Sequence, residues 1–524
     1  MYKILVADAI KPEGLTPLLN ASGIELIQET VEEAADKLHE IEAILVRSAT
    51  KVSEELMNKM PNLKIVARAG VGVDNVDIPA ATKRGIVVVN APDGNTISTA
   101  EHTFAMMASL MRHIPQACAS LKNGEWKRSS FSGTELNGKT LGIVGMGRIG
   151  GEITKRAKAF GMNVLVYDPF LTAERAKQMN VVALPLDELV EKVDIITVHT
   201  PLTKETKGLI NKDRLLKAKK GLYVLNCARG GIIDEDALYE SIVEGHVAGA
   251  ALDVFVEEPA TSNRLLELDQ VIATPHLGAS TKEAQLNVAT QVAQEVLTFL
   301  NGNPVSNSIN LPAISKEVFE KIQPFYSLAK QLGSVSSQCM KEGVREISVT
   351  YAGNVLEFDS SLLTKALLSG FLNSRIDQPV NEVNAMLVAK ELGITTGEKI
   401  SQNTSGYSNT ITVSVKGDNR QLEVKGTYID HYGPRIVSLN NFDIDFTPEG
   451  DFLYIQHTDR PGVIGRVGKI LGDNSINIAT MQVGRKQVGG EAIMVLSFDK
   501  PLSDEMYDAM LALDDISFMY RISL

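Results

Sequence analysis

Three observations predict an α/β fold built from several units. The chain has 524 residues, too many for one hydrophobic core. Short apolar strands alternate with amphipathic helices from Lys3 to Leu300. The run Gly145-Met146-Gly147-Arg148-Ile149-Gly150 stands between a predicted strand and a predicted helix. The late position of that run places a Rossmann-type nucleotide unit inside a flavodoxin-like α/β unit. An intervening α+β unit and a C-terminal ferredoxin-like βαββαβ unit follow.

The elements justify this order. Lys3–Ala7, Ile24–Ile27, Ala43–Val46, Leu63–Ala67 and Val87–Asn90 read as parallel strands in their own right. A long helix is predicted from Ile97 to about Gly124. The nucleotide unit opens with strand Thr140–Val144, continues through a helix carrying Ile153, Ala157 and Phe160, and returns on strand Asn163–Tyr167. Strands Ile195–Val198, Tyr223–Asn226, Gly249–Leu252 and Val271–Thr274 extend its sheet, and helix Ala284–Leu300 leads back out. The expected division is residues 1–98 with 295–310 for substrate, 99–294 for the nucleotide, 311–449 intervening and 450–524 C-terminal. The substrate is expected in the cleft between the first two.

In residues 311–449, helices are predicted at Glu317–Met340, Ser360–Leu368 and Glu382–Leu392, and strands at Val344–Tyr351, Thr410–Lys416 and Leu422–Ile429. No catalytic constellation is visible there. From residue 451 the order is βαββαβ, with strands Phe452–His457, Ile476–Arg485, Ala492–Phe498 and Ile516–Ile522.

The glycine run carries chemistry. Gly145, Gly147 and Gly150 permit a tight turn and let backbone N–H groups approach a pyrophosphate at a helix N-terminus. Asp168 ends the next strand about 20 residues on, where a carboxylate binds the ribose hydroxyls. That acid favours NAD, because the 2′-phosphate of NADP meets its charge. Arg148 is expected to face the pyrophosphate.

Composition narrows the partners. A net charge of −12 argues against non-specific nucleic-acid binding, and an anionic substrate then needs local Arg or Lys. The three cysteines, Cys118, Cys227 and Cys339, lie far apart without metal spacing, as in a reducing cytoplasm. The chain opens directly on a strand, so no signal sequence is expected, and no apolar run approaches the ~20 residues of a membrane helix. No metal site is expected.

Three polar residues follow late strands of the nucleotide sheet, where strand C-termini face the ligand crevice. They are Arg229 in Asn226-Cys227-Ala228-Arg229-Gly230-Gly231, Glu258 in Val256-Glu257-Glu258-Pro259, and His276 in Thr274-Pro275-His276-Leu277-Gly278-Ala279. Oxidising a hydroxyl by hydride transfer needs a base for its proton, and histidine titrates in the useful range. A carboxylate beside it fixes the tautomer and stabilises the imidazolium. An arginine pairs bidentately with a substrate carboxylate.

With Arg47-Ser48-Ala49-Thr50 and Arg68-Ala69-Gly70-Val71-Gly72-Val73-Asp74-Asn75-Val76-Asp77, these segments resemble the D-2-hydroxyacid dehydrogenase family over nearly the whole chain. Within it they resemble the long-form branch that oxidises 3-phospho-D-glycerate to 3-phosphooxypyruvate, the first step of L-serine biosynthesis. The resemblance implies that Arg229, Glu258 and His276 are catalytic. It implies NAD contacts at Arg148, Ile149, Asp168, Thr200, Cys227, Ala228, Asp253, His276, Leu277, Gly278 and Ala279, with Val71 near the nicotinamide. Arg47 and Arg68 follow strands and can meet the substrate phosphate in the cleft, with Lys51 a weaker candidate. Gly70 and Asn95 join them as substrate residues. The alternatives are a glyoxylate or hydroxypyruvate reductase of the same chemistry, or a non-enzymatic NAD-sensing module.

His457-Thr458-Asp459-Arg460-Pro461-Gly462 opens a segment resembling an ACT domain. The helix N-terminus there suits an amino-acid carboxylate and Asp459 an ammonium, with His457 beside them and Asn477 on the next strand completing the site. The resemblance implies L-serine as effector and a homo-oligomer, dimer or tetramer. His102 and His113 read as structural, His199 as a lining residue of the cofactor pocket, Cys227 as a small packed residue, and Trp126 as core or interface.

Overall fold

The computed structural model describes residues 1–524. The first sheet has five parallel strands in the order Ile24–Ile27, Tyr2–Val6, Ala43–Val46, Ile65–Arg68, Val87–Asn90. This is the flavodoxin-like order. Apolar layers cover both faces, as parallel sheets require. One layer takes Val288, Val292 and Val296 from helix Lys282–Leu300. The first unit therefore claims this helix from Val288 onward rather than from 295, because its apolar face is already turned to that sheet.

The second sheet has seven parallel strands: Val271–Ala273, Val247–Leu252, Leu222–Asn226, Ile195–Val198, Thr140–Val144, Asn163–Tyr167, Val182–Ala183. Thr140–Val144 and Ile195–Val198 lie side by side where the strand order reverses. That switch point is where open α/β sheets bind ligands.

The long helix expected from Ile97 to Gly124 is two helices, Thr96–Met111 and Ile114–Lys122. Pro115 has no N–H to donate and starts a new helix more readily than it continues one. His113 turns the chain with φ +51°. The first of these helices buries Ala100, Phe104, Met107 and Leu110 against the second sheet.

The intervening unit is a six-stranded sheet, Thr395–Ser401, Val344–Gly353, Asn409–Gly417, Gln421–Ile429, Gly433–Leu439, Phe442–Phe446, antiparallel except for the first pair. Helices Lys316–Cys339 and Ser361–Asn373 cross closely at Gly333, where a Cβ would fall 2.0 Å from the Leu367 carbonyl. This unit clasps the back of the first one. Asn381 Nδ2 donates to the Gly85 carbonyl at 2.7 Å, and Val383 joins the first unit's core.

The C-terminal unit is βαββαβ, with antiparallel strand order Ile478–Arg485, Glu491–Phe498, Asp451–Thr458, Ile516–Ser523. Helices Val463–Asp473 and Asp504–Leu511 cover one face with Val463, Val467, Leu471 and Met510. The other face gives Phe452, Tyr454, Ile493, Val495 and Ile522 to the 37-residue core of the intervening unit. No helix is long and apolar enough to cross a membrane.

Candidate active site

Gly145 leaves strand Thr140–Val144 with φ +98°, and its N–H donates to the Tyr167 carbonyl at 2.8 Å. A Cβ on Gly150 would fall 2.2 Å from the Gly145 carbonyl, so only glycine lets the helix start this close to the strand. Helix Arg148–Ala159 follows at once, and around Gly147 there is open space. Met146 N–H donates to Asp168 Oδ2 at 2.7 Å and Phe170 N–H to its Oδ1 at 2.8 Å. Asp168 thus stands at the glycine turn with acceptor capacity left over. Arg148, expected toward the pyrophosphate, instead forms an ion pair with Asp93 of the first unit.

The cleft wall fits a dinucleotide by another mark. His199 Nδ1, Thr200 Oγ1, Asn95 Oδ1, Thr96 Oγ1 and Arg68 Nε are buried polar atoms with no partner inside the chain. Such atoms call for an external ligand or water. Ile149 opens the helix, half-buried. Cys227 is buried, Ala228 half-buried, and Leu277 and Ala279 are exposed. Val71 is half-buried, and its carbonyl accepts from Asn90 Nδ2 at 2.6 Å. Burial pushes the Cys227 thiol up to about 12 and the His199 imidazole down to about 3, so both are neutral near pH 7.

His276 Nδ1 and Glu258 Oε2 are 2.9 Å apart. Glu258 Oε1 accepts the Phe255 N–H at 3.1 Å, which holds the carboxylate toward the ring. His276 has φ +56°, a left-handed conformation uncommon outside glycine. Its backbone N–H donates to the Asp253 carbonyl at 2.9 Å. Both side chains are about half exposed. A cavity of about 680 Å³ opens beside the pair, lined by Asp253, Phe255, Leu266 and Thr274 of the nucleotide unit.

Arg229 reaches across to the first unit, its Nε 3.3 Å from Asp74 Oδ2. Asn226 Nδ2 donates to the Arg229 carbonyl at 2.8 Å and fixes the turn. Arg68 folds over Gly70, where a Cβ would collide with the guanidinium. Arg68 is held below the usual arginine range, first by burial and then by the charges of Arg229 and Arg47, against the pull of Asp74 and Asp8. Three cations and two carboxylates leave a net positive cluster. Arg47 N–H donates to Asp8 Oδ2 at 2.6 Å, while Asn75 Nδ2 holds the Arg47 carbonyl at 2.7 Å. Lys51 is exposed.

Sequence reasoning gave no role here to Asp8, Asp74 and Asp93, and read His102 as structural. The first three lie in loops after strands and carry no spacing signal. His102 shares the helical face of Thr99, Thr103 and Met106, a periodicity that also reads as plain core.

In the C-terminal unit the expected effector residues do not gather within one chain. His457 is level with Ala492, whereas Ile478 is level with Phe498, at the other end of strand Glu491–Phe498. Strands Asp451–Thr458 and Ile478–Arg485 run parallel on its two sides, so Asn477 lies at the opposite end from His457 and Asp459. Asn477 donates to Asp499 at 2.7 Å, and Asp459 pairs with Arg485 at 3.2 Å. His457 is buried, with Nε2 unpartnered.

Comparison with known proteins agrees with this construction. Residues 104–278 match the D-isomer specific 2-hydroxyacid dehydrogenase, NAD binding domain. Residues 321–440 match the D-3-phosphoglycerate dehydrogenase intervening domain, and 452–515 the ACT domain. The chain is 60% identical to a D-3-phosphoglycerate dehydrogenase of Bacillus subtilis over 100% of both chains. It is 45% identical to one from Archaeoglobus fulgidus over 98% of both. Among solved structures, a D-lactate dehydrogenase from Aquifex aeolicus complexed with NAD and lactic acid is 32% identical, with a TM-score of 0.53 over 59% of this chain and 99% of that one. The protein therefore belongs to the D-3-phosphoglycerate dehydrogenases, NAD-dependent oxidoreductases within the D-2-hydroxyacid dehydrogenase family.

Proposed function

We propose that the chain oxidises 3-phospho-D-glycerate to 3-phosphooxypyruvate, with His276 as acid–base, Glu258 as its partner and Arg229 on the substrate carboxylate. NAD, when bound, accepts the hydride. His276 Nε2 takes the hydroxyl proton as the hydride leaves. Glu258 keeps the Nδ1 proton in place and stabilises the imidazolium. Arg229 offers a fork to the carboxylate, and its charge polarises the carbonyl in the reverse direction. Arg68 and Arg47 hold the phosphate.

The observation that carries this reading is the convergence of Arg47, Arg68 and Arg229 from two units, with an Arg68 Nε that has no partner inside the chain. A substrate with an anion at each end answers such a cluster. A lactate or glyoxylate leaves two of the arginines idle. The test is the initial rate of NADH formation with 3-phosphoglycerate, D-lactate, D-glycerate and D-malate. A clear preference for 3-phosphoglycerate supports the proposal. A preference for glyoxylate or hydroxypyruvate in the reverse direction replaces it with the reductase reading, and no turnover at all with the binding-module reading.

We further propose that L-serine regulates the enzyme through the ACT unit. Since His457 and Asn477 stand at opposite ends of one sheet, the site needs two copies placed head to tail. His457 and Asp459 then meet Asn477 of the second copy. Exposed apolar residues Ile114 and Leu121 on helix Ile114–Lys122 support self-association of the nucleotide unit as well. Three free cysteines, of which Cys227 and Cys339 are buried, support a reducing cytoplasm. Calorimetric titration with L-serine, alongside the oligomeric state in solution, tests this. Absence of binding removes serine as effector.

A further inference from the structure

Two histidine–carboxylate pairs flank the turn Thr274–Gly278. The exposed one is His276 with Glu258. The enclosed one is His102 with Asp253, His102 Nε2 lying 3.2 Å from Asp253 Oδ1 and 3.1 Å from Thr274 Oγ1. Asp253 is 1% exposed and is the peg on which the turn hangs. Its Oδ1 accepts the Thr274 hydroxyl at 2.5 Å and the Leu277 N–H at 2.7 Å. Its Oδ2 accepts the Gly278 N–H at 2.8 Å, and its backbone carbonyl the His276 N–H at 2.9 Å. The left-handed His276 is thus held from both sides by one residue.

A peg must itself be fixed. Every donor to Asp253 other than His102 belongs to the turn that Asp253 holds. His102 alone comes from elsewhere, from helix Thr96–Met111, whose N-terminus carries Asn95 and Thr96 into the cleft. Burial pushes the Asp253 carboxyl up, but the donors His102, Thr274, Leu277 and Gly278 outweigh it and hold it below the ordinary value. The carboxylate is then acceptor only, so the Nε2 of His102 carries the proton.

We propose that His102 is a positioning residue for the reaction: its Nε2–H donates to Thr274 Oγ1, with Asp253 Oδ1 3.2 Å away, and through this Thr274–Asp253 pair it sets the turn that presents His276 to the substrate. The inference rests on His276 being the acid–base group. Small displacements of a catalytic group cost rate steeply, on the order of a hundredfold for about 1 Å.

Three single variants test it in the full-length enzyme: His102→Leu, His102→Gln and His276→Ala. Glutamine keeps an N–H where the imidazole Nε2 stood. The leucine variant is expected to lose kcat roughly ten- to a hundredfold, with KM for 3-phosphoglycerate unchanged. Hydrogen exchange at the Leu277 and Gly278 amides should rise in that variant without any ligand present. The glutamine variant should recover most of both. Wild-type kcat and exchange in the leucine variant overturn the proposal. So does a glutamine variant as impaired as leucine, or a loss confined to KM. If the leucine variant does not fold, His102→Asn, polar but too short to reach Asp253, takes its place with the same outcomes. His276→Ala separates the two ideas. If it keeps turnover, the acid–base reading falls; if it alone loses turnover, only the role of His102 does.

Discussion

Arg229 lies so close to the backbone of Gly72 that a Cβ there would stand 2.0 Å from its Nη2. The nucleotide unit supplies the arginine and the first unit supplies the glycine, so this contact joins the two cleft walls. The same virtual Cβ stands 2.8 Å from Asp74 Oδ2. Gly72→Ala should therefore displace the guanidinium and raise KM for 3-phosphoglycerate. A charge-assisted hydrogen bond contributes about 1.5–3 kcal/mol, so the rise is on the order of ten- to a hundredfold. KM for NAD measured in the same variant should stay put; a rise in it instead would contradict a contact specific to substrate.

Glu258→Gln keeps size and removes charge. Glu258 Oε2 is 2.9 Å from His276 Nδ1, so in the proposed mechanism the imidazolium would lose its counter-charge. The expected loss is in kcat, within the roughly 10²–10⁴-fold range of acid–base contributions. NADH affinity, followed by calorimetry, should be unaffected.

Asp168 is expected to decide between dinucleotides. Met146 N–H and Phe170 N–H hold its two oxygens, so the carboxylate cannot swing away from an added phosphate. Like charges about 4 Å apart repel by about 1–4 kcal/mol, and kcat/KM with NAD should exceed that with NADP by about tenfold or more. Asp168→Ala should narrow this gap; an unchanged ratio would remove Asp168 from the choice.

His199 gives a signature in acid. Burial drops its imidazole to about 3, far below the ~6.5 of an exposed histidine. Between those values the unfolded chain binds a proton that the folded chain refuses. Stability from this group is complete above about pH 6.5 and is lost as pH falls toward 3. The slope is at most about 1.4 kcal/mol per pH unit. His199→Gln should flatten the fall of the thermal midpoint across that window, as scanning calorimetry at stepped pH can show.

Much of this was legible from residues. The spacing of Gly145, Gly147 and Gly150, with Asp168 closing the next strand, reports a local βαβ unit, and local structure is what sequence encodes most directly. Its late start predicted one unit inserted in another. The break of the long helix at His113 was missed because apolar periodicity runs through Pro115. The separation of the expected effector residues within one chain was not legible, for a topological reason: strands consecutive in sequence here are separated in space by Glu491–Phe498, so Asn477 and His457 part company. Contacts made between units, such as Arg148 with Asp93 and Arg229 with Asp74, have no sequence period at all.

The C-terminal βαββαβ unit is not an independent bead on a string. Phe452, Tyr454, Ile493, Val495 and Ile522 share one apolar core with the intervening unit, and Gln338 exchanges two hydrogen bonds with Ser523. Pulling the two apart would expose that shared core to water, so they should melt together as one cooperative block. The same block also grips the first unit, where Asn381 donates to the Gly85 carbonyl, so the two C-terminal units meet the first unit as one piece.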